Sequence, residues 1–402
     1  MRVQLVHTDR RRRGSEAWTA ARPTMVGCAV MPHPSSPASL RSLLVPLLVS
    51  CFAAGCESKK EAPPAPTVAP VAPKEATQAA APVTIDRALL NAFAVLPETM
   101  TAPTGAASAE AVALGKQLYF ETRLSKNQDL SCNSCHGLDT YGVDNKPTSP
   151  GHKGQLGARN SPTVYNAALH ATQFWDGRAK DVEEQALGPI LNPVEMAMKD
   201  EAAVLAVLRS IPEYVAAFKA AFPADKDALT YANVGKAIGA FERTLVTPSR
   251  WDKYLAGDDS ALTDKERAGL AKFLDVGCNT CHAGPALGGR DFKKLGNVKA
   301  WPSEIKDNGR FDVSKDPVDK NVFKVPSLRN VDKTGPYFHD GSVKTLEEAV
   351  KLMATHQLGK DLSDTDVQNI TAFLKSLTGE LPKIEQPTLP KSTAKTPKAD
   401  PT

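Results

Sequence analysis

The sequence predicts a mostly α fold of two like-built domains with long wrapping loops, and three observations carry that reading. Apolar residues recur at helical spacing, as at Ala111, Leu114 and Leu118, while alternating strand patterns are scarce. A helical stretch leading into Cys-x-x-Cys-His occurs twice, its cysteine pair starting at Cys132 and again at Cys278, 146 residues later, which gives one domain per copy. The connections 137–163 and 283–336 are rich in Gly, Pro and Asn. They exceed the usual loop lengths of a compact domain, and such loops wrap a large rigid body that replaces missing core.

Residues 1–56 read as a leader. Their apolar run 43–55, LLVPLLVSCFAAG, follows Arg41, suits the core of an export signal and is too short to span a bilayer. Cys56, directly ahead of a polar stretch, or else Cys51, is expected to carry lipid and tether the protein to a membrane. The cluster Arg10 to Arg13 has no apolar run close behind it and suits a twin-arginine signal poorly; Met25 and Met31 are alternative starts, which leaves Cys28 without a role. Residues 57–85 hold six prolines between Pro63 and Pro82 and are expected to stay extended as an Ala/Pro-rich linker.

The two domains are expected at 86–247 and 248–385. Helices are predicted over 109–120, 200–209, 212–221, 230–246, 264–275, 346–356 and 364–376. Three start signals support them: Thr263 with Glu266, Thr345 with Glu348, and Ser363 with Asp366. The tail 386–402 returns to a Lys, Thr and Pro bias and is expected to be disordered.

Of 49 basic and 45 acidic residues, seven arginines and only two acidic residues fall within 1–56, so the remainder is almost neutral. That excludes the basic face that nucleic-acid binding demands.

Cys132, Cys135 and His136, and again Cys278, Cys281 and His282, have the spacing that attaches c-type haem. Two thiols bond the two vinyl groups, and the adjacent histidine becomes the proximal ligand of the iron. A four-cysteine zinc site needs no histidine after each pair, and a thioredoxin-like pair needs a βαβ setting that the sequence lacks. Two haem c groups are therefore expected. An iron with both axial positions filled conducts electrons, whereas one with a position open, or able to open, can react.

Beyond these motifs the chain resembles a known family. LGKQLYFETRLS, SCNSCHG, GVDNKPTSPGHKG, NSPTVYN, QFWDGRAKDVEEQALGPILNPVEM, VPSLRNVDKTGPYFHDGS and LMATHQLG are similar to strings of the bacterial dihaem cytochrome c peroxidases, across about 95–380. FWDGR together with NPVEM is far more specific than the haem motif itself. The resemblance implies two cytochrome c-like haem domains, a peroxidatic one followed by an electron-transfer one. It further implies reduction of hydrogen peroxide with electrons from a small c-type cytochrome or cupredoxin, a periplasmic location and a homodimer.

Carried over by position, Met353 is the distal ligand of the second haem, raising its potential so that it receives electrons. His152 is the distal ligand of the first haem, on a loop with little to pin it, released when the second haem is reduced. Glu195 is the carboxylate that relays a proton during O–O cleavage, Gln185 a polar neighbour that orients peroxide, and Trp175 a bridge between the haems. Asn160, Thr334 and Pro336 are ligands of one Ca²⁺ between the domains, a site that spacing alone does not suggest.

Read without the resemblance, Met353 is a core methionine, His152 a solvated loop residue, Glu195 a helix-end cap, Gln185 a solvent-facing side chain and Trp175 a core residue. His170 is left without a role; His356, three residues after Met353, is an alternative ligand and His339 is expected near the second haem, and neither is assigned a catalytic role. Two rival readings share both haem motifs. One is a dihaem electron carrier without chemistry of its own. The other is a related dihaem enzyme that oxidises tryptophans on a partner protein, in which a tyrosine stands where this chain has Met353.

Overall fold

Each haem motif needs a rigid scaffold beside it, and the sequence builds the same one twice. The computed structural model describes residues 83–303 and 306–402. The expected leader 1–56, with Cys51 and Cys56 as its expected lipid sites, and nearly all of the expected linker 57–85 lie outside the described residues. In chain order the helices are α1 (Ala109–Tyr119), α2 (Cys132–Cys135), α3 (Val182–Leu191), α4 (Glu201–Arg209), α5 (Pro212–Ala221), α6 (Tyr231–Glu242), α7 (Arg250–Leu255), α8 (Asp264–Asp275), α9 (Phe311–Ser314), α10 (Leu346–Leu352) and α11 (Asp364–Ser376). Two short antiparallel strands, β1 (Phe292–Lys294) and β2 (Val322–Lys324), pair Lys293 with Phe323.

In the first half, α1 crosses α6 at Gly115, where a Cβ would collide with the carbonyl oxygen of Ala237 and lie 3.0 Å from Cβ of Phe241. In the second half, α8 crosses α11 at Gly269, where a Cβ would collide with the carbonyl oxygen of Asn369 and lie 3.0 Å from Cβ of Phe373. Both crossings bring backbones together more closely than any side chain permits, and in both a phenylalanine one turn onward seals the contact.

The predicted starts of α8, α10 and α11 are capped by the expected side chains: Thr263, Thr345 and Ser363 accept from the amides of Glu266, Glu348 and Asp366. Three expectations are corrected. The helix expected over 230–246 ends at Glu242, because the chain turns at 243–247. The helix expected over 346–356 divides into α10 and a wider π-helical turn, Met353–Leu358, closed by Gly359 in the left-handed region. Helices α3 and α7 were not expected; Gly188 and Pro189 disguised α3, although Asp181 caps it by accepting from the Glu184 amide at 2.8 Å.

The described residues belong to one compact unit with two hydrophobic cores, and the halves exchange ends. Ile85, Leu90 and Phe93 join the second core, with Phe93 edge-on to the fully buried Trp251. In return Leu381, Ile384 and Leu389 pack on the first core. Packing thus crosses the boundary expected between 86–247 and 248–385 at both ends of the chain. The tail 386–402 is extended but docked. Arg123 donates to the carbonyl of Pro390 (2.8 Å) and to Ser392 (2.9 Å), and Lys126 to the carbonyl of Thr402 (2.8 Å). Composition argued against a core in this segment, and it has none; it borrows one and satisfies its carbonyls with donors from 123–128.

Arg329 is fully buried and pairs with Asp252, at 2.5 and 2.8 Å, which also accepts from the backbone amides of Ser249 and Leu96. Burial alone would raise the carboxyl of Asp252, but these donors hold it below the usual aspartate range. Among the described residues, no helix is long and apolar enough to cross a membrane.

Gly115→Ala and Gly269→Ala should each destabilise the fold by about 1–3 kcal/mol, because overpacking outweighs the better helix propensity of alanine. Urea unfolding of the two variants measures this, and a rise in stability would show that the crossings are not tight.

Candidate haem centres and peroxide cavity

The first haem motif sits on the single turn α2, held at Ser131 and Ser134 by reciprocal capping. The carbonyl of His136 accepts from the hydroxyl of Tyr119 on α1 at 2.6 Å, so the glycine crossing positions the histidine. Nδ1 of His136 lies 3.3 Å from the carbonyl of Gly142, and Nδ1 of His282 lies 3.1 Å from that of Leu287. A carbonyl only accepts, so in both rings Nδ1 bears the proton and Nε2 keeps the lone pair that binds a metal. Burial lowers the pKa of both imidazoles and keeps them neutral.

All four motif cysteines are unpaired. Burial pushes the thiols of Cys132 and Cys278 up to about 12, so both are protonated in this structure. Among the described residues, no cluster of three or more His, Cys, Asp or Glu is placed to hold a metal ion on its own. These donors therefore fit covalent haem, with Cys132, Cys135 and His136 holding the first and Cys278, Cys281 and His282 the second.

Cys132, Cys135 and His136 line a cavity of about 840 Å³, and Glu195, Gln185 and Trp175 line it too. Gln185 comes from α3, while Glu195 follows it in the turn 192–197, where the amide of Glu195 donates to the carbonyl of Asn192 at 3.0 Å. Burial raises the carboxyl of Glu195, and Arg178 only partly offsets this. Arg178 is itself engaged by Asp176 at 3.0 Å and lies 3.4 Å over the ring of Phe174.

His152 does not line this cavity, although its neighbour Gly151 does. Its residue is buried at 6 % exposure in the turn His152–Gly154, and among the described residues its imidazole has no hydrogen-bond partner. The loop is well pinned, which corrects the expectation that little holds it. The amide of His152 donates to the carbonyl of Glu195 at 2.7 Å, and Gly151 and Gln155 bridge through a 2.7 Å backbone bond. A Cβ at Gly151 would collide with the carbonyl of Val194, so the glycine allows the close approach.

Trp175 is clamped between the halves. Its indole donates to the carbonyl of Asn160 at 2.9 Å, and its own carbonyl accepts from the amide of Lys324 on β2 at 2.8 Å. Its ring meets His339 at 6.4 Å, and His339 stacks on Phe323 at 4.2 Å. Beside this column the ammonium of Lys324 is buried and falls to about 7, with Nδ1 of His170 3.1 Å away and the carbonyl of Thr172 at 3.0 Å. Arg159 joins the halves at the cavity wall, meeting Asp307 at 2.6 and 2.7 Å and Asp176 at 2.6 Å.

Asn160 is buried, its amide donating to the carbonyl of His339 at 2.7 Å and its Nδ2 to that of Lys146 at 2.9 Å, which leaves Oδ1 available. Asn145 donates to the carbonyls of Lys333 and Gly335, each at 3.0 Å, drawing the segment with Thr334 and Pro336 toward the same loop. Met353 begins the π-helical turn and is half-buried, while His356 spends Nδ1 on the carbonyl of Ala300 at 2.7 Å.

Glu242, Arg159, Lys324 and Phe323 escaped the sequence reading. Each is an ordinary charged or aromatic residue until the halves close, and no local pattern marks it.

An α fold carrying two such cysteine and histidine turns, one of them facing a cavity furnished with a carboxyl, defines a dihaem c-type redox protein. Residues 109–260 match the family described as di-haem cytochrome c peroxidase. The chain is 50% identical over 311 residues to cytochrome c551 peroxidase of Pseudomonas aeruginosa, covering 76% of this chain and 90% of that protein. It is 48% identical to the protein of the same name from Nitrosomonas europaea, covering 73% and 87% respectively. A crystal structure of a MauG-like protein associated with microbial copper homeostasis superposes with a TM-score of 0.64 at 30% identity, covering 71% of this chain and 94% of that one. The chain belongs to the di-haem cytochrome c peroxidase family. It is an oxidoreductase acting on peroxide, with two cytochrome c-like haem domains and a cytochrome as electron donor.

Replacing Cys278 and Cys281 together by alanine should leave one covalently bound haem per chain. The haem absorbance retained after denaturation would fall to half that of the parent, and an unaltered value would remove the second attachment site.

Proposed function

We propose that the two halves divide the work, with peroxide reduced in the cavity beside His136 and electrons received through the half that carries His282 and Met353. The observation that carries this reading is the presence of Glu195, Gln185 and Trp175 on the wall that also bears Cys132, Cys135 and His136. Held by Cys132, Cys135 and His136, haem would supply an iron able to exchange electrons one at a time with donor and peroxide.

Glu195 then moves the proton. Its carboxylate would take a proton from one peroxide oxygen and deliver it to the other, which leaves as water as the O–O bond breaks; two electrons from the donor and two protons from solvent turn the remaining oxygen into a second water. Burial suits it to this task, since a raised pKa brings a carboxylate closer to the basicity that the transfer needs. Gln185 offers an amide to orient the peroxide. Trp175, held at both ends by hydrogen bonds to Asn160 and Lys324, keeps a conjugated ring fixed between the halves.

The seating of His152 off the cavity wall supports its assignment as a gate. In this arrangement Glu195 and not His152 faces the peroxide site, and the backbone bond from His152 to the Glu195 carbonyl links gate and proton carrier. Met353, at the start of a π-helical turn, is the thioether assigned to the second haem; such turns insert one extra residue and redirect side chains at functional sites.

Calcium is assigned to Oδ1 of Asn160 and the carbonyls of Thr334 and Pro336, a hard-oxygen set that no acidic cluster would reveal, and the Nδ2 of Asn160, spent on Lys146, supports leaving Oδ1 for it. The electron donor is read as a small c-type cytochrome or a cupredoxin. Export to the periplasm, a lipid tether at Cys56 or Cys51, and a homodimer complete the proposal.

Glu195→Gln should lower peroxide turnover by about 10²–10⁴-fold while leaving reduction of the second haem by its donor intact. As a base Glu195 must be ionised, so parent activity should fall as pH drops through a value above the ordinary glutamate range of roughly 4.3, and the variant should lose that acid limb. Turnover unaltered in the variant would take Glu195 out of the reaction. Met353→His should lower the potential of the second haem, read by spectroelectrochemistry, because a thioether favours the reduced iron and an imidazole does so less.

A further inference from the structure

The cavity holds a second carboxyl that the reaction above does not use. Glu242 lines it at 3 % exposure, and among the described residues no donor pairs with its side chain. Most of what faces it disfavours a charge, and the one opposing cation is shared. Glu183 on α3 is a like charge, and the adjacent Arg243 is spent on Glu183 at 2.7 and 2.9 Å and on the carbonyl of Met100. Tyr119 on α1 has committed its hydroxyl to the carbonyl of His136, and Cys132 on α2 is a buried thiol. Glu242 is also the last residue of α6, at the negative end of a 12-residue helix.

Burial first, then Glu183, push this carboxyl up to about 8, with Arg243 opposing. A leucine or glutamine here would serve packing better than an unpaired acid. What the site does provide is a titrating group in the wall of the chamber that changes charge with every electron. Linkage between the two is reciprocal: an added electron favours the protonated carboxyl, and the added proton favours the reduced haem.

We propose that Glu242 is the redox-linked proton site of the first haem, its carboxylate accepting one proton from solvent as that haem accepts one electron from the donor. One negative charge enters and one is neutralised, so the chamber keeps its net charge through the step. This rests on the reading that the first haem occupies the cavity beside Cys132, Cys135 and His136.

Spectroelectrochemical titration of the holoprotein across pH 6–10 tests it. The midpoint of the first haem should fall as pH rises through the interval around Glu242's titration. The limit is a tenfold change in the reduced-to-oxidised ratio per pH unit, about 59 mV for one electron. Glu242→Gln should be flat across that interval, whereas Glu242→Asp and Glu195→Gln should keep a slope. A slope in Glu242→Gln equal to that of the parent would overturn the assignment. Independently of any variant, a pH-indicator dye in weak buffer should report up to one proton taken up per electron at the first haem near pH 8. No uptake there would overturn it as well. A parent protein lacking covalent haem at Cys132 and Cys135 would instead sink the peroxidase reading itself, which the haem spectrum distinguishes.

Discussion

The whole structure depends on backbone contact between two helices at a residue with no side chain. Gly115 lets α1 reach α6, and Gly269 lets α8 reach α11, each followed by a phenylalanine that closes the seam. Because α1 also carries Tyr119, whose hydroxyl holds the carbonyl of His136, the crossing sets the height of the first motif above its cavity. In the second half α8 runs almost directly into Gly277 and the turn Cys278–Thr280. A haem protein with long loops can tolerate much irregularity elsewhere, but not at the pair of helices that locates the iron's protein ligand.

Electrostatics divides the interior into two kinds of charge. Arg329 with Asp252 and Arg159 with Asp176 and Asp307 are compensated ion pairs, which join segments far apart in the chain. Glu195, half-buried, and Glu242 and Lys324, buried, lack equal compensation, and all three lie on the cavity wall or beside Trp175. Breaking one partner of the first kind would strand a buried charge. In the second kind, burial works against the charged form with only partial relief.

Much of this was legible in the sequence, for definite reasons. Helix starts such as Thr263 with Glu266 are local, since the cap bond joins residues three apart, and α5, α8 and α11 fall where predicted. The haem motifs are local too. Glu195, Gln185 and Trp175 were named through resemblance to a family, and the fold brings them onto one wall with His136. What stayed hidden is tertiary: α3 masked by Gly188 and Pro189, the π-helical turn at Met353, the pinning of the His152 loop by the carbonyl of Glu195, and the docking of the tail. A proline-rich composition says that a segment cannot make its own core, but it is silent about whether another segment lends one.

The exchange of ends bears on how such a molecule is made. The first core is finished by Leu381, Ile384 and Leu389, and the second by Ile85, Leu90 and Phe93. A chain delivered from its amino end thus presents the first haem motif long before the residues that seal the surrounding core have arrived. The first core closes only when the last residues to be delivered, Leu381, Ile384 and Leu389, settle against helices laid down at the start.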